Sequence, residues 1–383
     1  MKTKKICTAL LAAALGFGFM AGPPVSEAAT RAELAKISVN RSGGNFKYWN
    51  KDAQSYRALT AYIKDVTDKN SKNFIPVADR IAVFDLDGTL VGETMPCYFE
   101  WMLYLERALH DPSYTASPED RATAEMVEDG IYHIGIPNPV PEPNVFDRPT
   151  AQHSLTEIPK DNMIREAKSQ LSVFADMTLP EYEAYVRKFM ETSPEGMVNL
   201  KWGEAFYLPM VEVISYLNAN QFKVFIVSGT DRQTLRVLVN GVLPVESDNI
   251  IGTDASHPAL HQGDTDGVNY LYTKDDKVLR GEFVMKDLKM NKVSNIVREI
   301  GKQPVLAFGN SSGDFSMFNY TITNNKYKSL AFALLCDDTA REYGSPKKAE
   351  KLRKTCEESG WIPVSMRDDF KTIYGDNVTR ADK

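Results

Sequence analysis

The stretch "AVFDLDGTLVGE", residues 82–93, decides how the rest of the chain is read. "RIAVFDL" is a short apolar run rich in β-formers and predicts a buried strand. The run stops at two carboxylates one residue apart, Asp85 and Asp87, followed by Gly88 and Thr89. Two ionised carboxylates this close repel unless a cation sits between them. Magnesium takes oxygen ligands, keeps several waters and often bridges to phosphate. The pair therefore predicts a metal, and the metal predicts a phosphoryl group. One acid is then placed to attack as a nucleophile. The other is placed to protonate the leaving oxygen and later to activate water.

Outward from this stretch, the chain alternates. "LPMVEVISYLNANQ" predicts a helix, "FKVFIVSGT" a strand and "DRQTLRVLVNGV" a helix. "NKVSNIVREIG" predicts a helix, and "PVLAFGNSSGD" and "SLAFALLCDD" predict strands. Upstream, "NKDAQSYRALTAYIKDVTDKN" has helical apolar spacing. Strands alternating with helices imply an α/β fold with a doubly wound, mostly parallel sheet. Residues from about 93 to 200 carry only helical patterns, in "YFEWMLYLERALH", "PEDRATAEMVEDGIYHI", "MIREAKSQLSVFADM" and "LPEYEAYVRKFMETS". That stretch is too long for a crossover, so the expected organisation is a core of 29–92 and 200–383 with a helical cap, 93–199, inserted between its first two strands.

In such sheets ligands bind beyond the carboxyl ends of the strands. Four strand ends carry polar residues: Asp85 and Asp87; Ser228, Gly229 and Thr230; Asn310 to Asp314; Asp337 and Asp338. A phosphoryl group needs positive and hydrogen-bonding partners. Ser228 with the Gly229 amide reads as an anion site at a helix start, or simply as a helix N-cap. Lys292 opens a helix before the Asn310 strand and supplies the cation, with Lys286 and Lys289 as rivals.

With these residues in view, the chain resembles the haloacid dehalogenase superfamily. "DLDGTL" is similar to the DxDGT first motif of its phosphatases, "VSGT" to the second motif, Lys292 to the third and "GNSSGD" to the fourth. The branch it most resembles is the phosphoserine phosphatase-like one, and the organisation is similar to that of periplasmic phosphorylcholine phosphatases. The resemblance implies that Asp85 becomes phosphorylated and that Asp87 is the acid/base, with its backbone carbonyl on magnesium. It implies that Thr89 holds the turn, that Ser228 and Gly229 bind the phosphoryl oxygens, and that Lys292 neutralises them and orients Asp85. Asn310 and Asp314 would be the fourth-motif positions, completing a metal set of Asp85, Asp87, Asn310 and Asp314. Many relatives have Asp where this chain has Asn310, which offers a carbonyl oxygen without charge. The implied activity is hydrolysis of small phosphate monoesters. A mutase, a dehalogenase or a non-catalytic phosphate- and metal-binding protein are the alternatives. Asp87 argues against dehalogenation, which has no leaving oxygen to protonate.

Just downstream, Glu93 and Thr94 are candidates for touching substrate, and the aromatics Tyr98, Phe99, Trp101 and Tyr104 read either as a headgroup lining or as a packed helix face. "TDASHPALHQGDTDG" reads as a solvated hairpin or flap, since its acids lack the spacing of a calcium loop. The Pro-rich loop at 137–149 reads as a lid or a connection.

The 383 residues carry a formal net charge of −6. A mildly acidic surface argues against nucleic acid as a partner. Lys2, Lys4 and Lys5, an apolar run and "SEA" ending at Ala28 predict a cleaved secretory signal over 1–28, hence a periplasmic or secreted protein without stable membrane insertion. Cys97, Cys336 and Cys356 would remain, an odd number for an exported chain; a Cys336–Cys356 pair and three free thiols both stay open. Oligomeric state is not legible in the sequence.

Overall fold

The computed structural model describes residues 28–132, 160–175 and 177–381. The expected signal segment, up to residue 27, and the Pro-rich loop at 137–149 lie outside the described residues.

The first strand, β1 (Ile81–Phe84), ends immediately before Asp85. It pairs in parallel with β3 (Lys223–Asp231) on one side and with β6 (Leu306–Gly309) on the other. Beyond β6 lie β7 (Leu330–Leu335) and β8 (Ile362–Ser365), both parallel. Beyond β3 lie β4 (Ile250–Ala255), parallel, and β5 (Phe283–Met285), antiparallel. The sheet order is β5-β4-β3-β1-β6-β7-β8. This is the expected α/β fold with a mostly parallel sheet. It puts the carboxyl ends of β3, β1 and β6 side by side.

Side chains alternate across this sheet, as the two-residue period of a strand requires. Ile81 and Val83 point to a cluster with Ile296, Met317, Phe318 and Cys356. Ala82 and Phe84 point to the opposite cluster, with Tyr62, Ile63, Val213 and Leu217. Helices therefore cover both faces: Gln54–Thr67 and Leu208–Ala219 on one, Phe315–Ile322 and Pro346–Ser359 on the other. Directly beneath the site, Phe84, Phe308 and Phe332 occupy matching register positions on three strands. Their rings stack at 4.3 and 4.8 Å between centroids. Each such pair contributes roughly 0.5–1.5 kcal/mol beyond its area burial, and the ladder stiffens the strand ends that carry the polar residues.

Between β1 and β3 the described elements are mainly helical: Phe99–Leu105 with a π turn at Glu106–His110, then Pro118–Tyr132, Lys160–Ser172 and Leu179–Met190. One short strand, β2 (Met197–Val198), was not expected there. It pairs antiparallel with β9 (Thr379–Arg380), so the end of the insertion is tied to the end of the chain. Phe99, Trp101 and Tyr104 are buried in the packing of this region. Phe99 stacks edge-on against Phe189 and Trp202, and the Tyr104 hydroxyl lies 2.6 Å from Ser169 Oγ. The helix is buried around most of its circumference, and these three aromatics pack on different sides of it; Tyr98 is half-buried and meets Trp101 edge-on.

The segment after β4 leaves the sheet and returns in β5, with Ala259 bridged antiparallel to Val278, a hairpin-like excursion as the sequence suggests. Cys97, Cys336 and Cys356 are free thiols. Among the described residues no helix is long and apolar enough to cross a membrane.

Candidate active site

Asp85 lies at the exit of β1, where its backbone N–H is held by the Phe308 carbonyl at 2.9 Å. Its carboxylate Oδ1 accepts from Lys292 Nζ at 2.6 Å. The same ammonium donates to Asp314 Oδ1 at 2.7 Å. Lys292 is 1% exposed and sits in the short helix Met290–Asn295. Of the three lysines in the sequence, it is the one brought to Asp85. Lys289 is exposed, and Lys286 stands 3.9 Å from Glu100.

Asp314 also orders its own turn. Its Oδ2 accepts the backbone N–H groups of Asn310 and Ser311, each at 3.0 Å. Both of its oxygens therefore have protein partners. Gly309 is needed at the end of β6 because a Cβ there would fall 2.6 Å from Asp314 Cγ.

Asp87 accepts from the Thr230 hydroxyl at 2.7 Å through Oδ2, while its Oδ1 is buried without a hydrogen-bond partner. Thr89 Oγ1 approaches Asp85 Oδ2 at 3.4 Å from the turn that follows. That turn has Gly88 at φ 71°, a left-handed conformation that an L side chain adopts only at a cost.

Ser228 is fully buried. It and Gly229 lie within β3, not at a helix start. Between the Val227–Ile251 and Asp231–Thr253 pairs, β3 advances four residues while β4 advances two. Such an irregularity re-aims side chains beside a site. The following helix, Arg232–Val239, is capped by Asp231, whose carboxylate accepts from the Thr234 N–H at 2.9 Å. This corrects both sequence readings of Ser228 that depended on a helix start.

The electrostatics are unbalanced. Asp85 and Asp314 share the ammonium of Lys292, and Asp87 lies in the fields of Lys286 and Lys292. Burial raises the Asp85 carboxyl well above its usual range, and the Asp314 charge raises it further, against the pull of Lys292. Burial raises Asp87 as well, opposed by the Thr230 hydrogen bond. Burial pulls Lys292 down, but Asp314 and then Asp85 more than offset it and hold the ammonium charged.

A second polar group lies beside the first, where the helical insertion meets the sheet. Glu100 Oε1 accepts the Asp231 N–H at 2.7 Å, and burial pushes this acid up to about 7. Glu166, also buried, is pushed up to about 8. Asp231 is paired at 2.9 Å with Arg280, whose guanidinium covers the Tyr182 ring at 3.7 Å. Glu93 accepts from Asn310 Nδ2 at 2.8 Å. The Thr94 hydroxyl donates to Glu342, which is fully buried and pushed up to about 7 by that burial. Thr230, Glu100 and Glu166 were not singled out from the sequence as site residues. Thr230 was visible as a hydroxyl at a strand end, whereas the two glutamates look like any helix-surface acids.

His257, His261, Asp264 and Asp266 do not form a second centre. His261 bonds Asp276 at 3.0 Å, and no cluster of three or more His, Cys, Asp or Glu side chains able to hold a metal occurs among the described residues. The pair Asp85 and Asp87, with the Asn310 carboxamide, still fits a hard cation that keeps most of its waters. The negative balance of Asp85 and Asp314 against the one ammonium they share is what such an ion would offset.

No protein-family model matches the chain, and no curated protein matches it. Solved structures do. A conserved functionally unknown protein from Anaerococcus prevotii DSM 20548 is 14% identical, with 86% of this chain and 93% of that one covered and a TM-score of 0.45. Cytosolic 5'-nucleotidase IIIB bound to cytidine is 12% identical, with 84% and 88% covered and a TM-score of 0.46. A phosphoserine phosphohydrolase-like protein from Francisella tularensis subsp. tularensis SCHU S4 is 15% identical, with 74% and 94% covered and a TM-score of 0.36. Likenesses this distant say nothing of the reaction. The fold is read from the strand order, and the chemistry from the residues at the strand ends.

Proposed function

We propose that this chain is a magnesium-dependent phosphatase that hydrolyses small organic phosphate monoesters through an aspartyl-phosphate on Asp85. One observation carries the reading: Lys292 bridges Asp85 and Asp314 at 2.6 and 2.7 Å while Asp87 stands beside them at the same strand mouth.

In this reading Asp85 attacks phosphorus, and the bond from phosphorus to the ester oxygen breaks. Asp87, whose buried carboxyl holds its proton more tightly than usual, gives that proton to the leaving oxygen. Asp87 then takes a proton from water, the water attacks phosphorus, and the bond to Asp85 breaks to release phosphate. Ser228 and the Gly229 amide bind phosphoryl oxygens, with Lys292 neutralising them. Thr89 and Thr230 hold the two acids in place. Asp85, the backbone carbonyl of Asp87 and the Asn310 carboxamide would hold magnesium, with Asp314 positioning Lys292. When bound, magnesium would supply charge neutralisation for a dianionic phosphate that three carboxylates otherwise repel.

The insertion at 93–199 would act as a cap that limits access to small substrates. The N-terminal sequence alone supports export, and with it a role in releasing phosphate or a nutrient outside the cytoplasm.

The test is hydrolysis of p-nitrophenyl phosphate and a panel of natural monoesters by the wild-type protein, with and without magnesium. Turnover that requires the metal is expected. Absence of turnover on every monoester would leave the binding-protein alternative standing and defeat this one.

A further inference from the structure

Glu93 closes the stretch that opens the chemistry of this chain, and the structure places it against a residue 217 positions away. Asn310 Nδ2 donates to Glu93 Oε1 at 2.8 Å. Both side chains are packed onto Gly88. A Cβ on that glycine would fall 2.0 Å from Asn310 Nδ2 and 2.3 Å from Glu93 Cδ. Glu93 is 4% exposed and Asn310 is half-buried, so the contact is shielded on the glutamate side. A carboxylate only accepts, so it fixes which end of the Asn310 amide faces it: the NH₂ group turns toward Glu93 and the carbonyl oxygen turns away.

We propose that Glu93 is a positioning residue for Asn310: it accepts from the Asn310 amide and so holds the Asn310 carbonyl for use in the crevice. The purpose of this arrangement rests on the phosphatase reading above; the coupling between the two side chains does not. It also changes the expected role of Glu93 from a substrate contact to a support beneath the site.

The pair makes an unusual demand on mutagenesis. Asn310→Asp should damage the protein, because two carboxylic acids would then meet at a largely buried contact with no donor between them when ionised. Glu93→Gln should repair that damage, because the glutamine amide donates to the new carboxylate and the same bond re-forms with donor and acceptor exchanged.

Melting temperatures of the metal-free protein test this without any need for turnover. Asn310→Asp alone is expected to fall by about 2 °C or more, and Glu93→Gln/Asn310→Asp to return to within a degree or so of the wild type. Magnesium affinity by calorimetry, without substrate, is expected to drop about 10–100-fold in Glu93→Ala, as for other groups that orient a ligand. Its kcat should fall with KM little changed. A double variant whose loss equals the sum of the single losses, or a Glu93→Ala effect confined to KM, would overturn the proposal. Wild-type turnover is a separate readout, and its absence would strike the phosphatase reading alone.

Discussion

Two lysines in this molecule sit among buried carboxylates, and they are held very differently. Lys292 meets Asp85 and Asp314 at 2.6 and 2.7 Å, in the core, with both acids fixed by backbone groups of the sheet and its turns. Lys286 meets Glu100 at 3.9 Å, where the helical insertion approaches the sheet. Glu166 nearby accepts from Gln170 of its own helix at 2.7 Å. In the phosphatase reading the first group is preorganised, with its charges where a phosphoryl group would need them. The second is held at longer range, and burial pushes Glu100 up to about 7 and Glu166 up to about 8.

The difference predicts opposite responses to substitution. The largest effect belongs to Lys292→Met, which leaves Asp85 and Asp314 buried together without a cation. Removing one partner from such a pair costs about 3–5 kcal/mol, so thermal or denaturant melting should show a large loss, with turnover at background. A variant that melts like the wild type would show that the short contacts are not the rigid element they are taken to be.

Glu100→Gln should cost little at acid pH and gain at alkaline pH. Burial raises Glu100 to about 7 from the 4.5 of an exposed glutamate. Below about 4.5 both folded and unfolded chains hold the proton. Between there and about 7 only the folded chain does, so stability falls as pH rises and the loss levels off once the folded acid ionises. The full contribution is on the order of 3 kcal/mol. Melting temperatures from pH 5 to pH 9 should therefore decline less in Glu100→Gln than in the wild type. Parallel declines would mean that Glu100 is solvated as an ordinary surface acid.

The same contrast explains what was legible in the sequence. Strands β1, β3, β6 and β7 announce themselves as apolar runs that stop at polar residues; the stops of β1, β3 and β6 form the core site, whereas Asp337 and Asp338 after β7 bond Ser365 and Arg341 instead. β4 carries only Ile250 and Ile251 before Gly252 and Thr253. β5 is three residues at the sheet edge, and β8 contains Pro363, tolerated because an edge strand leaves one side unpaired. None of these three has a pattern to read. The Asp85, Asp87, Lys292 and Asn310 positions follow from strand ends and helix starts. Their supports do not, because Thr230 reaches Asp87 across 143 residues and Arg280 reaches Asp231 across 49. Ser228 shows the converse. The strand and helix boundaries fall within a residue of those the sequence suggests, but Ser228 stands inside β3, and Asp231, not Ser228, caps the helix.

The claim that Asp85 is the nucleophile is tested most directly by one rate. Asp85→Asn is nearly isosteric and can still face Lys292, so its melting curve provides the check that the fold persists. Turnover of p-nitrophenyl phosphate with saturating magnesium should fall by at least ~10³-fold in this variant. A folded Asp85→Asn protein that keeps its rate within about tenfold of the wild type would contradict the account, since the bond to phosphorus would then form elsewhere.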